Sequence, residues 1–333
     1  MKLDFILGDT ISVATTGAIE EITQLATDRE KQVVVLVPEN ASLLVEKLIL
    51  KKCGATANIR VYSFVRLLEK VDSSQRDKYI SRENAILVIK KIILDNFSKL
   101  VCFKKSAKSI GFAEMIYDTI EQFKASKVNA GDIAQIKDAL PQRLKIKMQD
   151  ILLLYGEYEK FIGQNYLDNC DKLQYLNDTI INTNYLHNSF VYIVGFDNLT
   201  SQGAEFIATL AKISLGVKVA CSYTPAGDGK TLISDNEIFE KVKAVADRYG
   251  LIYNPKVYKT TRKPAFEHLA NNLFSYPYKT AESDGSIMLY EGLNPRDEVA
   301  YVCHQILKDV EQNGVKPEEI AIVCNNLDTY EKF

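Results

Sequence analysis

Apolar residues along this chain fall into two patterns, short continuous runs and longer stretches of helical period. Residues 3–7, 33–37 and 59–63 are almost wholly apolar or β-branched. That is the form of parallel strands buried on both faces. Helical periodicity lies between them, at 14–28 and 42–52. Strand, helix, strand, helix is the rhythm of an α/β protein with a parallel sheet.

From about residue 75 the strand pattern stops for roughly a hundred residues. Ser81 can cap a helix running to about Asn96. Phe112, Met115, Ile116, Thr119, Ile120 and Phe123 recur at i, i+3, i+4, i+7, i+8 and i+11. Leu144, Met148, Ile151, Tyr155, Tyr158 and Ile162 recur at alternating steps of four and three. This second stripe is heptad-like but short, and predicts the core of a helical region rather than a coiled coil. Strands return at 190–196 (FVYIVGF) and 217–223 (VKVACSY), with a helix from Thr200 or Ser201 to about Ile213 between them. Helices at 236–250 and 264–275 follow. Then come a polar linker at 278–285, a strand at 286–291, a helix at 295–313 with Pro in its first turn and a strand at 319–324.

The expected organisation is a first half-domain (1–75), a helical insertion (76–187), the second half of the same domain (188–277), and a linker with the start of a second α/β unit (278–333). The last strand leaves a second sheet unfinished. The expectation is therefore a piece of a longer protein, the alternative being a small closing sheet added to the first domain. One α/β domain interrupted by helices, then the opening of another, is the plan of superfamily 1 helicases at the level of fold analogy.

Bulk chemistry narrows the function classes. With Lys+Arg 41 against Asp+Glu 43 the net charge is −2, so no global basic field points to nucleic acid. Local clusters remain at Lys51–Lys52, Lys90–Lys91, Lys104–Lys105–Lys108 and Arg143–Lys145–Lys147. Most are expected to be solvated helix faces, with CFKKSAKS (102–109) the candidate to touch duplex DNA. The six cysteines form no C-x-x-C pair, and His187, His268 and His304 have no partner at metal-ligand spacing, so no metal is assigned. No G-x-S-x-G motif and no paired-carboxylate motif is present. The N-terminus lacks a signal-type apolar core and no 18-residue apolar run exists, which with free thiols argues for the cytoplasm and against a membrane.

The opening GDTISVATT has the outline of a phosphate-binding loop. Against G-x-x-x-x-G-K-[ST], however, Val13 stands at the second Gly and Ala14 at the Lys, while Thr15 fits the hydroxyl position. Lys2 and Arg29 lie outside the loop. Gly8, Val13, Ala14, Thr15 and Thr16 are expected to form a degenerate nucleotide loop, without the cation that phosphoryl transfer requires.

Six ordered segments carry a family resemblance. VVVLVPENASLLVEKLIL (33–50) resembles the VP-[ED]-Q-x-[ST]-F-x-x-E segment of the AddB family, found in bacterial ATP-dependent helicase–nucleases. VYSFVRLL (61–68), GFAEMIYDTIEQFKASKV (111–128) and KMQDILLLYGEYEKFI (147–162) resemble further segments of that family in order. So do FVYIVGFDNLTSQGAEFIATL (190–210) and NPRDEVAYVCHQI (294–306). The resemblance implies a P-loop NTPase (RecA-like) sheet, a role in double-strand break repair and recombination, an AddA-type partner and single-stranded DNA as ligand. It places an iron–sulfur cluster only in a C-terminal nuclease region that this chain lacks. In the family's Y-[VI]-D-G-F motif the Asp falls at Val194, a second departure, with Asp197 three residues beyond as either a substitute or a turn carboxylate. No ATPase or nuclease activity and no cofactor are expected of these residues. The alternatives are an active superfamily 1 ATPase with an unusual loop, or an α/β protein unrelated to DNA.

The resemblance further implies that loops after the second and third strands face the DNA single strand. It points to Asn40, Ser42, Phe64 and Arg66, with Phe196 beyond the fourth strand. Asn and Ser can donate to phosphate or base edges, Phe can stack on a base and Arg can supply charge. Ser42 can equally cap a helix, Phe64 can be core, and Arg66 can be a solvated charge at a helix start.

Overall fold

The continuous apolar runs pair as strands, and the helical periods cover them. The computed structural model describes residues 2–28, 30–136, 140–224, 236–273 and 276–333; Arg29 and the last two residues of the expected helix 264–275 lie outside them. The chain divides into two units, one made of the described residues up to Thr260 and one of Thr261–Phe333.

In the first unit, β1 (Lys2–Gly8), α1 (Ile11–Leu25), β2 (Gln32–Leu36), α2 (Ser42–Cys53) and β3 (Ile59–Tyr62) follow one another. Between β3 and the next strand all regular elements are helical: α3 (Phe64–Val71), α4 (Arg82–Asp95), α5 (Ile110–Ala125), α6 (Ala130–Ile136), α7 (Gln142–Asn165) and α8 (Asn169–Ile180), with short 3-10 turns. Then come β4 (Ser189–Ile193), α9 (Ser201–Ile213), β5 (Gly216–Ser222), α10 (Glu237–Arg248) and β6 (Ile252–Tyr258). The six strands form one sheet in the order β3-β2-β4-β5-β1-β6, and every pairing is parallel.

The pleat sorts the strand residues between two cores. Leu3, Phe5, Leu7, Val34, Leu36, Val191, Ile193, Val217 and Val219 face α3, α8, α9 and α10. Ile6, Val33, Val35, Val37, Tyr192, Val194 and Ala220 face α1 and α2. The sheet is thus the middle of three layers, with all its central strands covered on both sides. The helical stretch has a core of its own, built from α4, α5 and α7 around Ile89, Ile93, Phe112, Ile116, Tyr155 and Tyr158. The alternating stripe on α7 is buried at Tyr155, Tyr158 and Ile162, whereas Leu144 at its start is exposed.

Most element bounds shift by one to three residues, and the differences around α1, β4 and β6 have local causes. Helix α1 starts three residues early, because Thr10 caps it by accepting a hydrogen bond from Val13 N at 3.3 Å. It ends at Leu25 rather than 28. There the buried Asn58 side-chain amide donates to the carbonyls of Leu25, Asp28 and Lys31 and winds the following turn around itself. Strand β4 stops at Ile193 rather than 196, since Gly195 adopts φ +78 and swings the chain off the sheet. Strand β6 was hidden by its polar sequence and Pro255. It lies at the sheet edge, the place where a strand proline is tolerated.

The second unit holds α11 (Pro264–Asn272), α12 (Pro295–Asn313) and α13 (Leu327–Tyr330). Asn294 caps α12, Pro295 occupies its first turn, and Gly314 ends it at φ +66. Glu298 accepts a hydrogen bond from the Tyr330 hydroxyl at 2.9 Å, and Tyr290 stacks on Tyr301 at 3.7 Å. The expected strands at 286–291 and 319–324 are irregular backbone. A strand exists only where a neighbour takes its hydrogen bonds, and among the described residues neither segment has one; Leu289 and Val323 are correspondingly exposed. Among the described residues no helix is long and apolar enough to cross a membrane.

Candidate functional site

Ligands of parallel sheets bind outside the carboxyl ends of the strands. At that edge β2 leads through Val37 and Pro38 into a 3-10 turn, Glu39–Ala41, and then into α2. The turn leaves Asn40 exposed. Strand β3 ends at Tyr62, and Ser63 caps α3 by accepting from Arg66 N at 3.3 Å. This puts Phe64 and Arg66 in the first turn of α3. Strand β4 runs through Val194 to Gly195, whose left-handed φ delivers Phe196 to the same edge.

The five expected contact residues form two contacting pairs, Arg66 with Ser42 and Phe64 with Phe196, and Asn40 shares a cleft with Phe196. Arg66 Nη1 donates to Ser42 Oγ at 3.1 Å, and Arg66 Nε lies 3.4 Å from Glu39 Oε1. Phe64 stacks on Phe196 with centroids 5.3 Å apart and planes at 25°, and meets Phe206 edge-on at 5.6 Å. Asn40 and Phe196 line an open cleft of about 460 Å³ together with Pro38, Leu44, Asp197 and Asn198. Both phenylalanines are half-buried against the sheet core while keeping ring surface at this edge.

Two of the five have partners within the protein. Ser42 is buried, and α2 has no side-chain cap, so it is neither a free donor nor a helix cap. Its hydroxyl receives the Arg66 guanidinium and so fixes that side chain. Arg66 is in turn tied to Glu39, which neutralises part of its charge. Leu44 and Asn198 belong to the cleft but were not singled out from sequence. Leu44 is an exposed leucine one turn into a helix, and Asn198 follows the Gly195 turn, the one local signal that the chain bends toward the cleft.

The opening loop is short. Only Asp9 and Thr10 separate β1 from α1. A Cβ on Gly8 would lie 2.4 Å from Ala14 N and 2.8 Å from Thr10 O, so the helix start closes directly over the strand end. Val13, Ala14, Thr15 and Thr16 are all inside α1, where Ala14 N bonds Thr10 O and Thr16 donates to Ser12 O. Ala14 and Val194 are both fully buried in the apolar cluster with Val37, Val45 and Ala18. Hydrocarbon therefore fills both positions at which the resemblance would place the phosphate-binding Lys and the metal-binding Asp. Asp197 is exposed beyond the Gly195 turn. Among the described residues no group of three or more His, Cys, Asp or Glu is placed to hold a metal ion.

The family model "ADDB, N-terminal" matches residues 5–269. The chain is 28% identical to the B subunit of an ATP-dependent helicase/deoxyribonuclease of Clostridium kluyveri over 100% of its own length and 31% of that protein. The proteins of the same name from Clostridium tetani and Clostridium novyi are 24% and 25% identical, again over the whole chain and 31% of theirs. The chain thus spans about a third of the curated relatives it matches. It belongs to the AddB N-terminal family.

Proposed function

We propose that this chain is a non-catalytic, DNA-binding part of the B subunit of a helicase–nuclease that acts in double-strand break repair. In this reading a single DNA strand crosses the carboxyl edge of the sheet. Phe196, backed by Phe64, stacks on a base, Asn40 bonds a base edge or phosphate, and Arg66, held by Ser42, supplies charge. The observation that carries the reading is that Asn40 and Phe196, from two separate connections, line one open cleft, with Phe64 stacked on Phe196. The relatives are each named as one lettered component of a larger enzyme, which supports a partner of the AddA type.

The domain is read as a helicase-like α/β unit whose P-loop has lost nucleotide. Ala14 and Val194, buried in one apolar cluster, support that part. The segments 1–75, 76–187, 188–277 and 278–333 are proposed as its first half, helical insertion, second half and the start of a second unit. The absence of a membrane-length helix among the described residues is compatible with a cytoplasmic location.

Fluorescence anisotropy of a labelled single-stranded oligonucleotide at low salt, beside calorimetry with Mg-ATP, tests both parts. Saturable strand binding that weakens in Phe196→Ala and Arg66→Ala, with no heat from Mg-ATP, is the expected result. Micromolar Mg-ATP binding would overturn the non-catalytic reading in favour of an active ATPase. Strand affinity unchanged by either substitution would remove the cleft.

A further inference from the structure

A second surface of the first unit differs in its chemistry from the cleft. The loop between α4 and α5 contains Lys99, Lys104, Lys105 and Lys108, and no acidic residue occurs between Asp95 and Glu114. Loops of this composition are ordinarily floppy. This one is held from beneath. The Asp150 side chain on α7 is buried and accepts hydrogen bonds from three successive backbone N–H groups: Val101 at 2.9 Å, Cys102 at 2.8 Å and Phe103 at 3.0 Å. Lys90 Nζ donates to the carbonyls of Ala107 and Ser109 at 3.0 and 3.1 Å. Ala107 is buried, and Phe103 packs on Phe112 at 5.0 Å. Backbone bonds from Ser106 and Ala107 to Phe103 O tighten the turn.

The outward chemistry of this rigid loop is cationic. Lys104, Lys105 and Lys108 are exposed and form no ion pair with any described residue. Arg143 and Lys147, both exposed, precede Asp150 by seven and three positions, on the same stripe of α7. We propose that loop 101–109 is a preorganised cationic knuckle that grips the phosphate backbone of double-stranded DNA. Duplex is favoured over single strand by what the loop omits. Single-strand sites combine charge with exposed aromatic rings for base stacking; Phe97 is exposed at the start of the connection, but within 101–109 the one ring, Phe103, is half-buried against the helical core. Ammonium groups on flexible stems, carried by a held backbone, suit the dense, evenly spaced phosphates of a duplex, which are read without reference to base. The inference rests on the DNA-binding reading above only in choosing DNA as the polyanion.

The test measures affinity for a 20-base-pair duplex and for a single-stranded oligonucleotide in parallel, as a function of salt. The natural chain is compared with a Lys104→Ala, Lys105→Ala, Lys108→Ala variant. Each phosphate contact contributes about 0.9 to the log–log salt slope on duplex. Loss of three should make that slope shallower by about 2.7, while single-strand affinity stays unchanged. Duplex affinity and slope unaltered by the three substitutions would overturn the proposal, as would the absence of duplex binding. Lysine-dependent duplex binding without any single-strand binding would leave the knuckle standing and remove the cleft reading instead. Asp150→Asn separates geometry from charge. It removes a negative charge beneath the loop, so a purely electrostatic patch would bind duplex more tightly. Preorganisation predicts weaker binding, and unchanged or tighter binding would sink that part of the proposal. The lysine substitutions sit at exposed positions, so the first comparison does not depend on the folding of Asp150→Asn.

Discussion

Phe64 and Phe196 come from different connections of the sheet, yet their rings lie stacked at 5.3 Å. Each limits the motion of the other, so in the proposed reading a base at the edge would meet a platform that is already ordered. Removing Phe196 should lower single-strand affinity by about 1–3 kcal/mol, the value of one stacked base. Phe64→Ala should lower it less directly, by releasing Phe196. It should also destabilise the fold, because Phe64 packs against the buried Phe206. A double-mutant cycle read by urea unfolding should give a coupling of about 0.5–1.5 kcal/mol between the two rings. Zero coupling would show that the stack carries no energy.

Arg66 is positioned by a buried hydroxyl. Ser42→Ala removes the acceptor of its 3.1 Å bond and should cost about 1 kcal/mol of stability. Arg66→Lys preserves charge but not the fork that reaches Ser42 and Glu39 together. Strand affinity should therefore fall in both variants, although charge is unchanged in each. Binding at the natural level in Arg66→Lys would mean that only the charge matters.

The strands central to the sheet were legible in the sequence because burial on both faces leaves an unbroken apolar run, as in 33–37. Strand β6 was not, since an edge strand needs few apolar residues and tolerates Pro255. The cleft was legible only in part. Asn40 and Phe196 could be placed from loop position and resemblance. The bond between Ser42 and Arg66 joins the starts of α2 and α3 across 24 residues of sequence, a tertiary fact with no local pattern. Asp150 was missed for the same reason. On a helix it reads as one more polar position, and its role depends on a loop arriving from some fifty residues earlier.

Glu21 ties α1 to the sheet edge. Its carboxylate accepts from Lys218 at 2.6 Å, and from Lys256 and the Tyr258 hydroxyl at 2.9 Å each. Burial alone would raise its pKa, but the hydrogen bonds from these three groups together outweigh burial and hold it below the ordinary glutamate range. A depressed folded-state pKa contributes stability that is present above the unfolded value, about 4.3, and is lost as pH falls through the folded value. Urea midpoints measured from about pH 7 down to about pH 3 should fall more steeply for the natural chain than for Glu21→Gln, with the difference confined to the acid limb. Parallel curves throughout would remove Glu21 from the linkage.

Lys124 presents the opposite dependence once it is removed. Its ammonium, only 10% exposed, lies 2.8 Å from both Asp168 and Asp171, and its backbone carbonyl accepts from Gln202 at 3.0 Å. Asp168 also caps α8 and receives the Tyr158 hydroxyl. The cluster therefore joins α5, α7 and α8, with a further link to α9. Burial works against the charge of Asp168, yet the adjacent Lys124 draws its pKa down, while burial and the Asp168 charge push Asp171 up. Lys124→Met would leave two buried carboxyls facing each other without a cation, at a cost of about 3–5 kcal/mol near neutrality. One of them would then hold its proton to higher pH in the folded state than in the unfolded chain. A raised folded-state pKa means that the native state binds more protons, so stability falls as pH rises. Lys124 draws both carboxyls down, so Lys124→Met should recover more stability than the natural chain on going from about pH 7 to about pH 5. A variant equally destabilised at both values would show that the carboxyls had separated into solvent and that the joint had opened.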